Sequence, residues 1–390
     1  MTRFDPTQLK PADTHPALLG SLLPPSGVTP LNFSPGPTSL AAEVQAGIKA
    51  LFDAERMCSM YLSHRSPEFL DILASVVQRC RTAMSIPEQY EILFMHGGGH
   101  GQFAAVPLNL CPRGDEKATY LVNGTWSKRA LIDASKYCNP VVVSSENQDG
   151  TFTNNPSFEN LNLESKYVYL CSNETVNGIE LHRLPKLDIK APLVVDASSD
   201  FSTKPIDWVG CNVGVLYACA SKNIGHPGLT LCVIRRDLLG TPSQLCPGVL
   251  CYTTNVREGN LWNTIATFNV EVVNLYLQWL IAQGGVHEME RRSIAKSAMV
   301  YDVIDRDKPQ CVLRVFKDAD KARAMAEEIA ANAPLAVLAS KRMMRMGLEE
   351  TFPTHVQHVY LQLLPLFASD DFAEGVKSFL EKRPAAFTGR

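Results

Sequence analysis

The fold of this chain is decided by residues 213–234, VGVLYACASKNIGHPGLTLCVI. Two apolar runs, 213–218 and 230–234, are typical of buried strands, and a turn rich in glycine and proline joins them. Lys222 lies between the two runs. Partial desolvation of a lysine in such a place favours the neutral amine, which attacks carbonyl carbons and forms Schiff bases. A lysine that simply faces water is the alternative, because lysine prefers the surface.

A second signal is the glycine-rich run 96–101, HGGGHG. It follows an apolar run at 90–95, which predicts a buried strand, and precedes a helical pattern over 102–110. A glycine-rich turn between a strand and a helix exposes backbone amides and the positive end of the helix dipole, which together bind phosphate. The pattern is neither G-x-G-x-x-G nor a Walker sequence, so it does not indicate a dinucleotide or a nucleoside triphosphate.

Apolar runs and helical patterns alternate through the middle of the chain. The predicted strands include residues 119–122, 140–143, 167–171 and 193–195, and the predicted helices include 40–54, 126–136, 267–282 and 370–381. This alternation is typical of an α/β fold with a mostly parallel sheet covered by helices, in which ligands bind at the carboxyl ends of the strands. Asp196, Trp126 and residues 173–175 all follow predicted strands.

Composition limits the function. The 390 residues are 45% hydrophobic and 20% charged, which suits one large domain and a smaller one. A net charge of −3 gives no basic surface for nucleic acid or an anionic membrane, and no apolar run approaches the about 20 residues that span a bilayer. The eleven cysteines are scattered and never form C-x-x-C, so we expect reduced thiols, no metal site and a cytoplasmic protein.

Three regions are expected along the chain. Residues 1–30 are rich in proline and resemble neither a signal peptide nor an arginine-rich presequence, so they are expected to form a loose extension. Residues 31–285 are expected to form the large domain. Residues 286–390 are expected to form a small α/β domain, with predicted strands at 311–316 and 356–363 and a predicted helix at 319–331.

The motifs, taken in order, resemble the phosphoserine aminotransferase family, whose members are fold-type I enzymes that use pyridoxal 5′-phosphate (PLP). The matching segments are 32–37 (NFSPGP), 63–69 (SHRSPEF), 96–110 (HGGGHGQFAAVPLNL), 173–179 (NETVNGI), 196–207 (DASSDFSTKPID) and 222–230 (KNIGHPGLT). The likeness runs from about residue 31 to about residue 305 and is specific because so many segments match in one order.

The resemblance implies catalytic roles for two residues. Lys222 would hold PLP through a Schiff base and carry the proton during amino transfer. Asp196 would pair with the pyridine nitrogen and keep it protonated, which makes the ring an electron sink. Trp126 would stack on the ring, and Thr175 would bond near its hydroxyl group.

The resemblance also implies how the cofactor phosphate is held. Gly99 and His100 would present backbone amides to it, and Ser221 stands where the family has a glutamine before the lysine. Asn263 and Thr264 resemble the pair that reaches the phosphate from a partner subunit. The family likeness therefore implies a homodimer with shared active sites.

The anion receptors for the substrate match the family only in part. His64 and Arg65 correspond to its first His-Arg pair. In the small domain, Thr351 and Phe352 stand where a second His-Arg pair belongs, and His358 stands where an arginine binds the substrate carboxylate. Three basic residues just upstream are candidate replacements: Lys341, Arg342 and Arg345.

The sequence thus predicts a PLP-dependent aminotransferase that exchanges an amino group between O-phospho-L-serine/3-phosphohydroxypyruvate and glutamate/2-oxoglutarate. A relative with the same fold but a less anionic amino acid substrate is the main alternative, since two arginines are missing. An α/β-hydrolase, in which residues 96–99 (HGGG) would form the oxyanion hole, is a remote one because the chain has no G-x-S-x-G elbow. A non-catalytic relative is disfavoured by the presence of Lys222, Asp196 and Trp126.

Overall fold

A mixed sheet forms the centre of the larger part of the molecule. The computed structural model describes residues 36–53, 58–159, 161, 164–306, 369–383 and 385–388. Within these residues the strands are β1 (Tyr90–Met95), β2 (Lys117–Val122), β3 (Asn139–Ser144), β4 (Val168–Cys171), β5 (Asn173–Glu174), β6 (Ile179–Glu180), β7 (Leu193–Asp196), β8 (Val213–Cys219) and β9 (Thr230–Arg235). Seven of them form one sheet in the order β1-β9-β8-β7-β4-β2-β3, and β5 and β6 pair as a separate hairpin.

Strand direction in this sheet positions the site. The neighbours β2 and β3, β2 and β4, β4 and β7, and β7 and β8 are parallel, whereas β9 is antiparallel to both β1 and β8. Every strand except β9 therefore runs the same way, and the carboxyl ends of β1, β2, β4, β7 and β8 meet at one edge. The prediction of a mostly parallel sheet is confirmed.

The sequences of these strands are continuous apolar runs because both faces of the sheet are buried. In β8, Leu216 and Ala218 pack into one core cluster, while Val215 and Tyr217 pack into a second cluster. Alternate residues of a strand point to opposite faces, so one strand supplies both cores. Every strand predicted between residues 90 and 235 is present, with ends shifted by at most two residues.

Helices cover the sheet. Those in the described residues are α1 (Ala42–Asp53), α2 (Pro67–Met84), α3 (Gly98–Leu110), α4 (Thr125–Ala134), α5 (Ala220–Asn223), α6 (Tyr252–Arg257), α7 (Thr267–Ala282), α8 (Gly285–Arg306) and α9 (Asp370–Glu381). Ser66 begins α2: its hydroxyl oxygen accepts a hydrogen bond from the Phe69 amide at 3.3 Å, and Pro67 takes the first helical position, where no amide hydrogen is needed. None of the helices in the described ranges is long and apolar enough to cross a membrane.

The chain divides into two compact units, Met1–Ser293 and Ile294–Arg390. In the second unit the structure describes the end of α8 and the segment around α9. Glu374 and Arg383 form an ion pair there, with 2.5 Å between Oε1 and Nη1. The predicted extension 1–30 and the predicted elements at 311–316, 319–331 and 356–363 lie outside the described residues. The predicted domain boundaries therefore stay predictions.

Candidate active site

A cavity opens at the edge of the sheet where the parallel strands end. Six of the residues predicted for the site line it: Gly99, His100, Trp126, Thr175, Asp196 and Lys222. Six that had been assigned no role join them, although Asn173 had been noted because it follows a predicted strand: Phe103, Cys171, Asn173, Ser198, Ser199 and Cys219. The sheet thus brings together side chains from the ends of β1, β2, β4, β7 and β8.

Lys222 lies on α5, the single helical turn between β8 and β9. A segment from the beginning of the described chain packs against it. The Thr38 amide donates to the Ser221 carbonyl at 3.3 Å, and the Thr38 hydroxyl donates to the carbonyl of Lys222. At Gly36, where φ is +145°, an added Cβ would lie 2.6 Å from Lys222 Nζ. Only glycine allows the backbone to approach the lysine side chain this closely.

Asp196 is the last residue of β7, and only 5% of it is exposed. Its Oδ1 accepts a hydrogen bond from the Ser198 amide at 2.9 Å. Burial raises the pKa of Asp196 to about 6, and hydrogen bonds with Ser198 and Tyr217 act in the opposite direction. A buried carboxyl group at a cavity wall is stabilised in its charged form by a cationic partner, so Asp196 suits a protonated ring nitrogen.

Trp126 is held at the beginning of α4 by residues that follow β4. Its indole Nε1 donates to Thr175 Oγ1 at 3.1 Å, and its amide donates to Glu174 Oε2 at 2.9 Å. Glu174 is fully buried and also accepts from the amide and the hydroxyl of Ser127, both at 2.7 Å. A carboxylate at a helix N-terminus satisfies free amides and complements the helix dipole. Trp126 is therefore held both at its backbone amide and at its indole nitrogen.

The glycine-rich turn forms the first turn of α3. The predicted beginning of this helix at Gln102 is wrong, because the helix begins at Gly98. Gly97 has φ of +90°, a conformation that glycine adopts without strain, and this lets the chain pass directly from strand to helix. Its carbonyl accepts the Gly101 amide at 2.9 Å. The amides of Gly98, Gly99 and His100 thus lack partners within the helix, as an anion site at a helix N-terminus requires.

Other predicted site residues lie near the cavity edge without lining the cavity of the same chain. Ser221 is one of them, and its carbonyl oxygen accepts a hydrogen bond from the Thr38 amide. The Arg65 guanidinium donates to the Leu261 carbonyl at 3.2 Å, and the His96 ring lies 3.2 Å from the carbonyl oxygen of Thr264. The segments 64–65 and 263–264 are thereby linked to the same region of the fold.

His64 has a distinctive environment. Its Nε2 atom is buried and lacks a hydrogen-bond partner within the described ranges. Burial and the positive charge of Arg65 lower the pKa of His64. His358, Lys341, Arg342 and Arg345 lie outside the described residues, so their roles stay predictions.

Several lining residues without an assigned role share one signal. Asn173, Ser198 and Cys219 each lie within two residues of the carboxyl end of a strand that supplies a predicted site residue. This position marked Asn173 in the sequence, and the same rule applied to the neighbouring strand ends would have found Ser198 and Cys219. Phe103 comes from the inward face of α3 and has no comparable signal. Within the described part of the chain, no three His, Cys, Asp or Glu side chains are grouped as a metal ion would require.

Comparisons with known proteins agree with this geometry. The family model described as Aminotransferase class-V matches residues 31–332. The phosphoserine aminotransferase of Albidiferax ferrireducens is 40% identical over 288 residues, which are 71% of this chain and 77% of that protein. The corresponding protein of a Polaromonas species is 39% identical over 291 residues, with the same coverage of both chains.

Solved structures give the same result. The PLP-bound phosphoserine aminotransferase from Trichomonas vaginalis aligns with a TM-score of 0.67 at 32% identity, over 72% of this chain and 78% of that one. The enzyme from Bacillus circulans subsp. alkalophilus aligns with a TM-score of 0.66 at 31% identity, over 70% and 76%.

The fold and the cavity define a fold-type I enzyme that depends on PLP, with amino acids and 2-oxo acids as its substrates. Within that class, the chain belongs to the class-V aminotransferases and to their phosphoserine aminotransferase family. No comparison favours the α/β-hydrolase or the relative with a less anionic substrate.

Proposed function

We propose that this aminotransferase exchanges an amino group between O-phospho-L-serine/3-phosphohydroxypyruvate and glutamate/2-oxoglutarate. The observation that carries the proposal is the cavity that joins Lys222, Asp196 and Trp126 at one edge of the sheet, in a chain 40% identical to a phosphoserine aminotransferase. Arg65 of the pair at 64–65 adds positive charge suited to a phosphorylated substrate.

The lining residues fit PLP in three respects. A carboxyl group that burial keeps prone to protonation, Asp196, can hold a proton at the pyridine nitrogen. The amides of Gly99 and His100 can donate hydrogen bonds to the cofactor phosphate at the beginning of α3. The Lys222 amine faces the same cavity as both groups and can hold the aldehyde carbon covalently.

When bound, PLP supplies an electron sink for the negative charge that develops at the substrate Cα. The chain supplies the remaining functions. Lys222 Nζ, which lines the cavity, would act as the general acid/base that accepts the proton from the substrate Cα. Trp126 would stack on the cofactor ring, and its hydrogen bond to Thr175 keeps the indole plane from turning. Ser221, the residue next to Lys222, is also proposed to bind the cofactor.

We also propose a homodimer in which each chain completes its partner's site. Two segments support this arrangement: Thr264 contacts His96 at the glycine-rich turn, Arg65 contacts Leu261, and neither 64–65 nor 263–264 lines the cavity of its own chain. In a homodimer, Asn263 and Thr264 would reach the cofactor phosphate of the partner, and His64 and Arg65 would reach the substrate phosphate. His358 is proposed to contact the substrate carboxylate. A cytoplasmic location without nucleic-acid or membrane partners is proposed from the composition.

The proposal is tested by following the visible absorbance of the bound cofactor. Purified protein should be yellow, and borohydride should bleach the colour by reducing the imine to an amine, which leaves the cofactor covalently attached to the chain. In the unreduced protein, O-phospho-L-serine and glutamate should each bleach the absorbance, whereas L-serine should not. Lys222→Ala should abolish covalent attachment after reduction, and Lys136→Ala, at an exposed position on the surface, should retain it. Faster bleaching by L-serine than by O-phospho-L-serine would instead favour the less anionic substrate.

The role of Arg65 has a separate test. A charge-assisted contact to phosphate contributes about 1.5–3 kcal/mol, so Arg65→Ala should raise the KM for O-phospho-L-serine by about 10- to 100-fold and that for glutamate far less. Arg113→Ala, at an exposed arginine that does not line the cavity, is the matched control. Equal increases of KM for both substrates would remove the proposed role of Arg65.

A further inference from the structure

Cys219 ends β8, three residues before Lys222, and its thiol lies against the glycine-rich turn. The Gly99 amide donates a hydrogen bond to Cys219 Sγ with 2.9 Å between nitrogen and sulfur. An added Cβ on Gly98 would lie 3.4 Å from the same sulfur. The thiol therefore fills the space directly beside the amides at the beginning of α3.

A second residue holds the thiol in this position. The Ser198 hydroxyl lies 3.4 Å from Cys219 Sγ and 3.4 Å from the Cys219 amide nitrogen. The Ser198 amide donates in turn to Asp196 Oδ1 at 2.9 Å. A continuous chain of hydrogen bonds thus runs from Asp196 through Ser198 and Cys219 to Gly99.

The Gly99 amide cannot serve two acceptors fully at once. It is one of the amides proposed above to bind the cofactor phosphate, and it already points at a sulfur atom. Burial raises the pKa of the Cys219 thiol, so the thiol is neutral at pH 7. A neutral sulfur is a weak acceptor, whereas the oxygens of a phosphate are charged and accept strongly.

We propose that Cys219 sets the affinity of the enzyme for its cofactor by competing with the cofactor phosphate for the Gly99 amide. Without the cofactor, the thiol satisfies this amide and stabilises the empty site. When the phosphate binds, the amide turns to a phosphate oxygen and the contact with the thiol is lost. The inference rests on the proposed PLP site, and it concerns only the phosphate end of the cofactor.

Equilibrium binding to the cofactor-free protein tests the competition. The probes are PLP and pyridoxal, which lacks the phosphate, and the readout is quenching of tryptophan fluorescence. A net hydrogen bond of ordinary strength corresponds to a change in Kd of about three- to tenfold. The Kd of Cys219→Ala for PLP should therefore be lower than that of the wild-type protein by about this factor. Its Kd for pyridoxal should change less than about twofold, because pyridoxal does not use the Gly99 amide.

Two further variants sharpen the test. Cys219→Ser places a stronger acceptor beside the Gly99 amide, so its Kd for PLP should equal or exceed that of the wild-type protein. Cys246→Ala removes a half-buried cysteine that does not line the cavity, and it should leave both Kd values unchanged. If Cys219→Ala fails to fold, Cys219→Ser still tests the proposal, because tighter binding of PLP by this variant would contradict competition for the Gly99 amide.

The results separate this inference from the proposed function. An unchanged or weaker affinity of Cys219→Ala for PLP, or an equal gain for pyridoxal, would overturn the competition. Tighter binding of PLP by Cys219→Ser would overturn it as well. If the wild-type protein took up no PLP that borohydride could fix, the proposed function itself would fail, whatever the cysteine variants did.

Discussion

At the scale of one residue, the burial of Asp196 changes both its pKa and the stability of the folded protein. Its carboxyl group has a pKa of about 6 in the folded chain, against an ordinary value of 3.8. Between these values the folded protein binds more protons than the unfolded chain does. The stability of the cofactor-free protein therefore falls as the pH rises through this window.

Asp196→Asn should remove this pH dependence, because an asparagine of the same shape has no charge to bury. In urea unfolding of the cofactor-free protein, the stability of Asp196→Asn relative to wild type should rise by about 1–2 kcal/mol between pH 4.5 and pH 7.5. The same variant should lose aminotransferase activity. Asp188→Asn, at an exposed aspartate, is the control and should show no such trend. A difference that stayed constant with pH would mean that burial does not perturb Asp196.

Helix α4 shows at the scale of an element how close packing fixes a functional ring. Glu174 accepts three hydrogen bonds from the first turn of this helix, and Gly124 lets it approach. A Cβ on Gly124 would lie 2.5 Å from Glu174 Cδ, and φ at Gly124 is 175°, an extended conformation open to any residue. Glycine is therefore needed at this position for space alone.

A double-mutant cycle measures that interaction. Gly124→Ala alone should destabilise the protein by about 1–3 kcal/mol, the usual cost of overpacking. Glu174→Ala should also be destabilising, because it leaves buried amides without a partner. In the Glu174→Ala background the cost of Gly124→Ala should largely disappear, since the atoms that it would meet are gone. Additive costs in urea unfolding would show that the two residues act independently.

The beginning of α3 gives a second prediction at the same scale. Gly97→Ala adds a Cβ at φ of +90°, only 3.0 Å from the Gly101 Cα, whereas Gly150→Ala meets φ of +81° with its nearest atom at 3.8 Å. Left-handed backbone costs a residue with a side chain about 1–2 kcal/mol, so both variants should lose that much stability. Gly97→Ala should lose more stability than Gly150→Ala and should also weaken PLP binding. Equal Kd values for PLP in both variants would argue against the turn as the phosphate site.

The whole molecule is proposed to function as a pair of chains, and mixing inactive variants tests this. Lys222→Ala and Thr264→Glu should each be inactive alone. If each site combines Lys222 of one chain with Thr264 of the other, mixed dimers contain one intact site, and random mixing should restore about a quarter of wild-type activity. Each variant refolded separately and mixed without subunit exchange is the control. No recovery in verified mixed dimers would place the whole site within one chain.

Much of the fold was predictable because its signals are local. The runs that became β1 and β8 are apolar on both faces, and α7 was predicted at its observed bounds, Thr267–Ala282. Signals that depend on backbone conformation were less accurate. Gly97 takes a positive φ that begins α3 four residues early, and the short α5 around Lys222 has too few residues for a periodic pattern.

By itself, the sequence determined the strand and helix pattern, the glycine-rich turn, the reactive lysine and the family, since each depends on residues close together in the chain or on motifs in a fixed order. Only the tertiary structure decided which of these side chains face one another. The order β1-β9-β8-β7-β4-β2-β3 places Gly99 against Cys219, although 120 positions separate them. The physical reason is that strand pairing, and not distance along the chain, sets which strand ends share an edge.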